Sequence, residues 1–469
     1  MLLKVEGERS PGFKLALAIA VGFLLTIPLF SVWLLVYDRQ SQQEQAQGSI
    51  TAGWGGPQAM AGPVLVIPYR ATATETVVQN GRSVTRTSEV SRELTLAPEA
   101  VDLSTDLRPD VRKRSIYEAV VYDAAVSGKA RFSLPADLDR SGVDLSRMDM
   151  SRAELRFALS DPRGLGANPR VLAAGRPLRM LPGGGSAGGG RGFFAWVDAT
   201  GLTSQPLLVD FGFSFRGNAA LSLAPQAGDT KWTVRSSWPN PSFAGDFLPQ
   251  SRAVGSRGFE ATYRVGNLAL GRSLVSTGDA GAAGIIERVP PPSRYSTPAT
   301  ATADTGPVQT AAISLIQPVD LYSQVNRAAK YGFLFIGFTF LALLMFDVIG
   351  GVRVSAVEYL LMGAALVLFF VLLLAFAEVI GFPPAYILAS AAIAGLNTAY
   401  SAAVLGSWRR ASFIGGLLVG LYAVLYVLLS LEAYSLLIGS LLLFVALAGV
   451  MFATRRIDWS APRATAGGA

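Results

Sequence analysis

Apolar residues follow two regimes along this chain. They form a nearly unbroken run over residues 15–36, and five further runs over about 331–349, 356–377, 384–405, 412–430 and 434–453. An α-helix rises about 1.5 Å per residue, so runs of about 19–22 residues match a hydrocarbon core of roughly 30 Å. The pattern predicts six transmembrane helices. Between the first and second, from about 52 to 275, the period changes. Residues 64–67 are a short, wholly apolar buried-strand run after Gly62-Pro63, and segments such as 77–90, 116–132, 153–159, 207–215, 219–224 and 231–236 alternate apolar and polar residues, with punctuation at Asn80-Gly81, Ser127-Gly128, Gly217-Asn218 and Gly228-Asp229. Alternation at period two is the signature of half-buried strands, and the last three segments read as a meander. Two stretches carry neither period. Residues 183–192 are nearly all glycine, and 289–309 are rich in Pro, Thr and Ala, so both read as flexible loops.

The expected class is therefore membrane α-helical (six TM helices) plus a large all-β, mostly antiparallel, sandwich-like domain outside the membrane. Charge supplies the orientation. Lys and Arg favour the cytoplasmic side in short loops. Arg353, Arg409, Arg410, Arg455 and Arg456 fall on one side, while the short turns opposite hold Glu378 and Glu432. With both termini cytoplasmic, the segments read as an N-terminus 1–14, a first helix 15–36, a periplasmic domain 37–329, a five-helix bundle 330–454 and a tail 455–469. The apolar run 15–36 exceeds the 7–15 residues usual in a signal peptide and lacks a small-x-small site after it, so it reads as a retained anchor. Arg39, Arg327 and Lys330 run against the charge rule at the outer boundary. Long domains cross largely regardless of charge, so the orientation stands.

Composition narrows the chemistry. Only 16% of the 469 residues are charged, and 51% are hydrophobic, as a membrane protein requires. The net charge of +7 is dispersed rather than gathered into a basic run, so nucleic acid is not an expected partner. There is no cysteine and no histidine. That removes Ser-His-Asp and Cys-His nucleophiles and His-ligated zinc, and leaves carboxylates, Lys, Ser and Tyr. No metal or cofactor is expected, and the chain is not expected to be an enzyme. The expected partners are the lipid bilayer and an envelope or cell-wall component.

Several strings are distinctive: Gly56-Pro57-Gln58 with Gly62-Pro63; Arg114-Ser115-Ile116-Tyr117-Glu118 with Val121-Tyr122; Ser160-Asp161-Pro162-Arg163-Gly164; the run Ser237-Trp238-Pro239-Asn240-Pro241-Ser242-Phe243-Ala244-Gly245-Asp246-Phe247-Leu248-Pro249; Val319-Asp320-Leu321-Tyr322; and the tail Arg455-Arg456-Ile457-Asp458-Trp459. In these strings, their order and the helix layout, the chain resembles the CreD family of inner-membrane proteins. The glycine loop and the 275–312 region look longer than that family leads one to expect. The resemblance implies a role in cell envelope integrity and envelope stress, under a two-component system, and carries no catalytic residues.

Three groups of residues are candidates for function. The 237–249 loop offers Trp238, Pro239, Pro241, Phe243, Asp246 and Phe247, either as a preorganised binding surface or as a plug for one end of the β core. Asp161-Pro162-Arg163-Gly164 has the composition of a type I turn, which leaves Arg163 to contact an anion or a carboxylate. Asn397 and Ser401 are four apart and share one face of a membrane helix, as interhelical glue or as part of a pathway. A binding module fits this inventory best. A transporter or insertase-like chaperone, and an envelope enzyme using carboxylates such as Asp161 or Asp246, are the alternatives.

Overall fold

The computed structural model describes residues 11–79, 82–167, 169–185, 191–277, 308–315, 321–348, 354–430 and 435–455. The expected turn at Asn80-Gly81, residues 186–190 and 289–307 of the expected flexible loops, and Arg353, Arg456 and Trp459 lie outside the described residues. The chain divides into two compact units, residues 1–44 with 319–469, and residues 45–318.

The first unit is helical. Among the described residues five helices are long and apolar enough to cross a membrane, within Gly12–Ala52, Leu321–Val348, Ala356–Ile380, Phe382–Leu405 and Trp408–Leu429. The sixth expected span falls on the helix Ser435–Thr454. Local chemistry sets the helix ends. Ser355 and Glu358 form a capping box: the Ser355 hydroxyl accepts from Glu358 N at 3.3 Å, and Ser355 N donates to the Glu358 carboxylate at 2.6 Å. Pro383 and Pro384 open Phe382–Leu405, where a missing N–H costs nothing. The first helix breaks at Leu25, between Pro11–Leu24 and Thr26–Ala52. Pro28 lies three residues on; it has no N–H to offer the Leu24 carbonyl and its ring pushes that carbonyl aside. Inside the unit, Phe335, Phe369 and Tyr422 pack with ring centroids 4.6–6.4 Å apart.

The second unit holds two sheets. In one, the order is Pro241–Gly245, Ala311–Leu315, Ala220–Ala224, Gln58–Gln79, Ala153–Leu159, Gly192–Val197 and Leu181–Pro182, with Arg82–Leu96 and Val275–Ser276 joined to the far half of Gln58–Gln79. In the other, the order is Ser251–Gly255, Gly258–Gly266, Asp229–Ser236, Ala100–Arg114, Tyr117–Phe132, Leu207–Asn218, Arg170–Ala173 and Arg176–Pro177. Inward residues of both sheets, among them Leu65, Ile67, Leu103, Phe215 and Trp232, form one core. Trp232 is fully buried, and its indole N–H donates to the Thr105 hydroxyl at 3.0 Å.

Three expectations need refining. The sheets are mostly antiparallel, as expected, but mixed, with two parallel pairings among the described strands. Residues 58–61 run parallel to 221–224, and 100–107 run parallel to 229–236. The expected meander is also absent, because Ala220–Ala224 lies in the other sheet from the strands before and after it. The two corrections share a cause. The chain steps between sheets at Asn218-Ala219, where Ala219 takes a left-handed φ of 52°, and strands that return after such a step need not reverse direction. Finally, Ser127-Gly128 is not a turn but mid-strand, paired with Gly212 and Phe211. Gly128 is required there because a Cβ would lie 2.5 Å from Cζ of Phe211.

Candidate functional site

Three of the distinctive strings meet around one buried amide. Gln58 is fully buried at the start of its strand. Its Nε2 donates to the carbonyls of Asp161 (3.1 Å) and Arg216 (2.8 Å), and its Oε1 accepts from Asp161 N and the Ser160 hydroxyl, both at 3.1 Å. All four hydrogen-bonding positions of the amide are thus used. Asp161 N-caps the short turn Pro162–Gly164 and accepts from Gly56 N at 3.1 Å. Arg163 folds back on it with two bonds of 2.9 and 2.8 Å. Those guanidinium bonds, with the Gly56 and Arg163 amides, hold the Asp161 carboxyl at about 2. Arg163 is therefore engaged with its own turn. Nearby, the Tyr122 hydroxyl donates to the Ala220 carbonyl at 2.8 Å, and burial pushes its pKa up. Arg112 and Arg216 each lie over the Trp54 ring, at 4.8 and 4.5 Å. This is a lock between strand ends, with the Gln58 amide and the Tyr122 hydroxyl spent on other parts of the domain.

The 237–249 segment is likewise committed to the fold. Trp238, Phe243 and Phe247 are partly buried against the core. Pro241–Gly245 is the edge strand of its sheet, where the missing N–H of Pro241 is tolerated, and it pairs with Ala311–Leu315. Asp246 accepts from Thr310 N at 2.8 Å and donates its own N–H to the Thr310 carbonyl at 2.7 Å. Pro239 lies in the connection before that strand.

The open surface lies elsewhere, on the exposed face of the eight-stranded sheet. Strand register places Thr262, Thr233, Ser104, Ser127 and Gly212 in one row across five strands. The adjacent row is Arg264, Lys231, Asp102, Lys129 and Asp210. Lys231 pairs with Asp102 at 3.2 Å and Lys129 with Asp210 at 3.7 Å. Short side chains beside long charged ones leave a trough of about 650 Å³, lined by Asp102, Ser104, Ser127, Lys129, Arg170 and Asp210. It presents hydroxyls, carboxylates and cations to solvent in near balance. Sequence reading missed this row because its members come from five strands. One signal was legible, a glycine at 212 between two phenylalanines inside a strand.

In the helical unit, Asn397 and Ser401 are buried. Ser401 Oγ lies 3.9 Å from Met362 Sδ, and Asn397 Nδ2 has no hydrogen-bond partner among the described residues. Arg409 and Arg410 begin the helix Trp408–Ser430, and Arg455 lies 4.0 Å over the Phe452 ring. Lys14 pairs with buried Asp347, and Arg39 lies 3.9 Å from Glu378, which also accepts from the Tyr322 hydroxyl at 3.1 Å. Lys14 and Arg39 are separated by about 37 Å of helix, at 1.5 Å per residue. The two pairs thus bracket a length slightly greater than the hydrocarbon core.

Residues 10–460 match the family described as Inner membrane protein CreD. The chain is 31% identical over 457 residues to Inner membrane protein CreD of Escherichia coli (strain K12), covering 97% of this chain and 95% of that one. A solved M1 zinc metallopeptidase from Deinococcus radiodurans aligns over 36% of this chain and 38% of its own, at 10% identity and a TM-score of 0.19, too slight a likeness to argue from. With the family matched along nearly its whole length, and helices and sheets arranged as described, the chain belongs to the CreD family of inner membrane proteins.

Proposed function

We propose that this protein is a non-enzymatic binding module of the cell envelope, anchored in the inner membrane and supporting envelope integrity and the response to envelope stress. In this reading six helices cross the membrane, the sixth being Ser435–Thr454, with both termini in the cytoplasm. The sheet domain faces the periplasm. Arg409, Arg410 and Arg455 lie on the cytoplasmic side in this arrangement, as the charge rule prefers. The observation that carries the binding role is the trough on the exposed sheet face. Its hydroxyl row and its balanced Asp102, Lys129, Arg170 and Asp210 suit a polar, extended ligand rich in hydroxyl and amide groups, such as a cell-wall glycan strand. The distinctive strings are taken up by the lock and the edge strand, which leaves this face as the open polar surface of the domain.

The test has two arms. The chain has no cysteine, so single cysteines report topology cleanly. Ser127→Cys should react with an impermeant thiol reagent in cells with a permeabilised outer membrane, and Arg409→Cys only after the inner membrane is opened. Full-length protein should retain soluble glycan strands, and Asp102→Ala with Asp210→Ala should weaken retention about ten-fold or more, the loss of two charge-assisted contacts. Equal retention by the double variant would remove the trough from the account.

A further inference from the structure

Arg39, Arg327 and Lys330 stand on the outer side of the membrane, against the charge rule, and the proposed function gives them no task. Glu378 neutralises Arg39. Lys330 is exposed and has no carboxylate partner among the described residues. It stands at the mouth of a groove. Two hollows run along the first helix, one of about 230 Å³ against Gly332–Val348, reaching Leu344, and one of about 570 Å³ against Ala329 and Lys330 at the end of Leu321–Lys330, and they share Thr26 and Leu29. The break at Leu25 made by Pro28 lies where they join. Gly22 and Gly337 line the inner hollow. A Cβ built on Gly337 meets nothing within 4 Å, so the space is open. Trp33, 37% exposed, lines the outer hollow beside Lys330.

We propose that this groove binds one glycerophospholipid of the outer leaflet, with its phosphate at Lys330 and an acyl chain running toward Gly337 and Phe340. The dimensions agree. Ten residues of helix from Lys330 to Phe340 span about 15 Å, half the hydrocarbon core and the reach of one leaflet's chain. The lining is apolar below the mouth, where an acyl chain fits. At the mouth the Lys330 ammonium, without a carboxylate partner among the described residues, meets the headgroup level, and Trp33 sits where aromatic rings settle at the interface. A second protein helix is a poorer occupant, because it would bury Lys330 without an anion. The Lys330 charge favours a net-anionic headgroup over a zwitterionic one by about five-fold, the effect of one basic residue near a lipid surface. This inference rests on the proposed orientation for its leaflet only. Lipid retention and glycan retention are read separately, so either reading can fail without the other.

The experiment is native mass spectrometry of the full-length protein released from bilayers of phosphatidylglycerol and phosphatidylcholine in equal amounts. The wild type should carry one retained lipid, phosphatidylglycerol about five times as often as phosphatidylcholine. Lys330→Gln should bring the two toward parity. Gly337→Leu fills the open space with a better helix former and should remove retention of both. Retention without preference in the wild type, or a retained lipid indifferent to both substitutions, overturns the proposal. So does a dimer that Gly337→Leu dissolves while no lipid is seen. If Gly337→Leu does not fold, the wild-type preference and its loss in Lys330→Gln decide alone.

Discussion

Replacing Gln58 by Met removes an amide while leaving its volume nearly unchanged. Two backbone groups then lose the amide as partner, Asp161 N–H and the Arg216 carbonyl, while the Asp161 carbonyl keeps the Gly164 N–H at 3.2 Å. The Ser160 hydroxyl keeps bonds to Ala59 N at 2.8 Å and to the Pro57 carbonyl at 3.1 Å, so its loss is small. An unsatisfied buried polar group costs about 1–3 kcal/mol, with carbonyls at the lower end because they hold two lone pairs. The sum is about 3 kcal/mol, or roughly a hundred-fold in an opening equilibrium. Hydrogen exchange on the full-length protein reads this locally. Peptides covering residues 57–61, 158–165 and 214–219 should exchange about a hundred-fold faster in Gln58→Met, because all three lean on the one side chain. A change below about three-fold in all three segments would refute the claim that this amide joins them.

Four further outcomes follow from the same structure. Gly164→Ala should lower the thermal midpoint of the sheet domain, since its Cβ would run into the Arg216 carbonyl, and overpacking of this kind costs about 1–3 kcal/mol. Asp161 has a folded pKa of about 2 against an ordinary 3.8, so its stabilising contribution is whole above about pH 4 and is lost as pH falls toward 2. Arg163 is exposed, so that contribution is about 1 kcal/mol or less, and acid titrations of wild type and Asp161→Asn should converge at low pH. Arg156 pairs with Glu93 at 2.6 Å and buried Glu154 at 2.8 Å; burial disfavours its charge, and the two carboxylates outweigh it. Arg156→Met should therefore cost about 3–5 kcal/mol in denaturant titration, most of it recovered when Glu154 is also made apolar. Asn397→Leu should leave the thermal midpoint unchanged or raise it, because it removes a buried amide nitrogen that has no partner among the described residues; loss of function with that stability intact would instead favour a transport pathway.

The helices were legible because a span is a property of one segment: length and apolarity can be counted along the chain. Strand existence was legible for the same reason, from alternation at 116–132, 153–159 and 231–236. Strand neighbours were not. That residues 58–61 run parallel to 221–224 depends on where the chain changes sheets, and the only local mark is a positive φ at Ala219, a residue that rarely announces one. The strings around Gln58, Tyr122 and Asp161 stood out separately, and only the fold makes them one lock. Composition left 237–249 open as either a binding surface or a plug for the core, because aromatics and prolines suit both, and here Trp238, Phe243 and Phe247 pack partly buried against the core. The trough was hidden most completely, since its rows exist only in the register of five strands.

The central claim is that the exposed sheet face binds an envelope glycan, and Gly212→Tyr tests it most directly. A Cβ at position 212 meets only the Val126 carbonyl, at 3.6 Å, so a side chain there extends into the trough without disturbing the core, and tyrosine suits a strand better than glycine. The measurement is equilibrium binding of soluble glycan strands to full-length wild type and variant, with the thermal midpoint of each. The account predicts binding by the wild type and at least a ten-fold loss in Gly212→Tyr at an equal or higher midpoint. Equal binding by both, or none by the wild type, would contradict it.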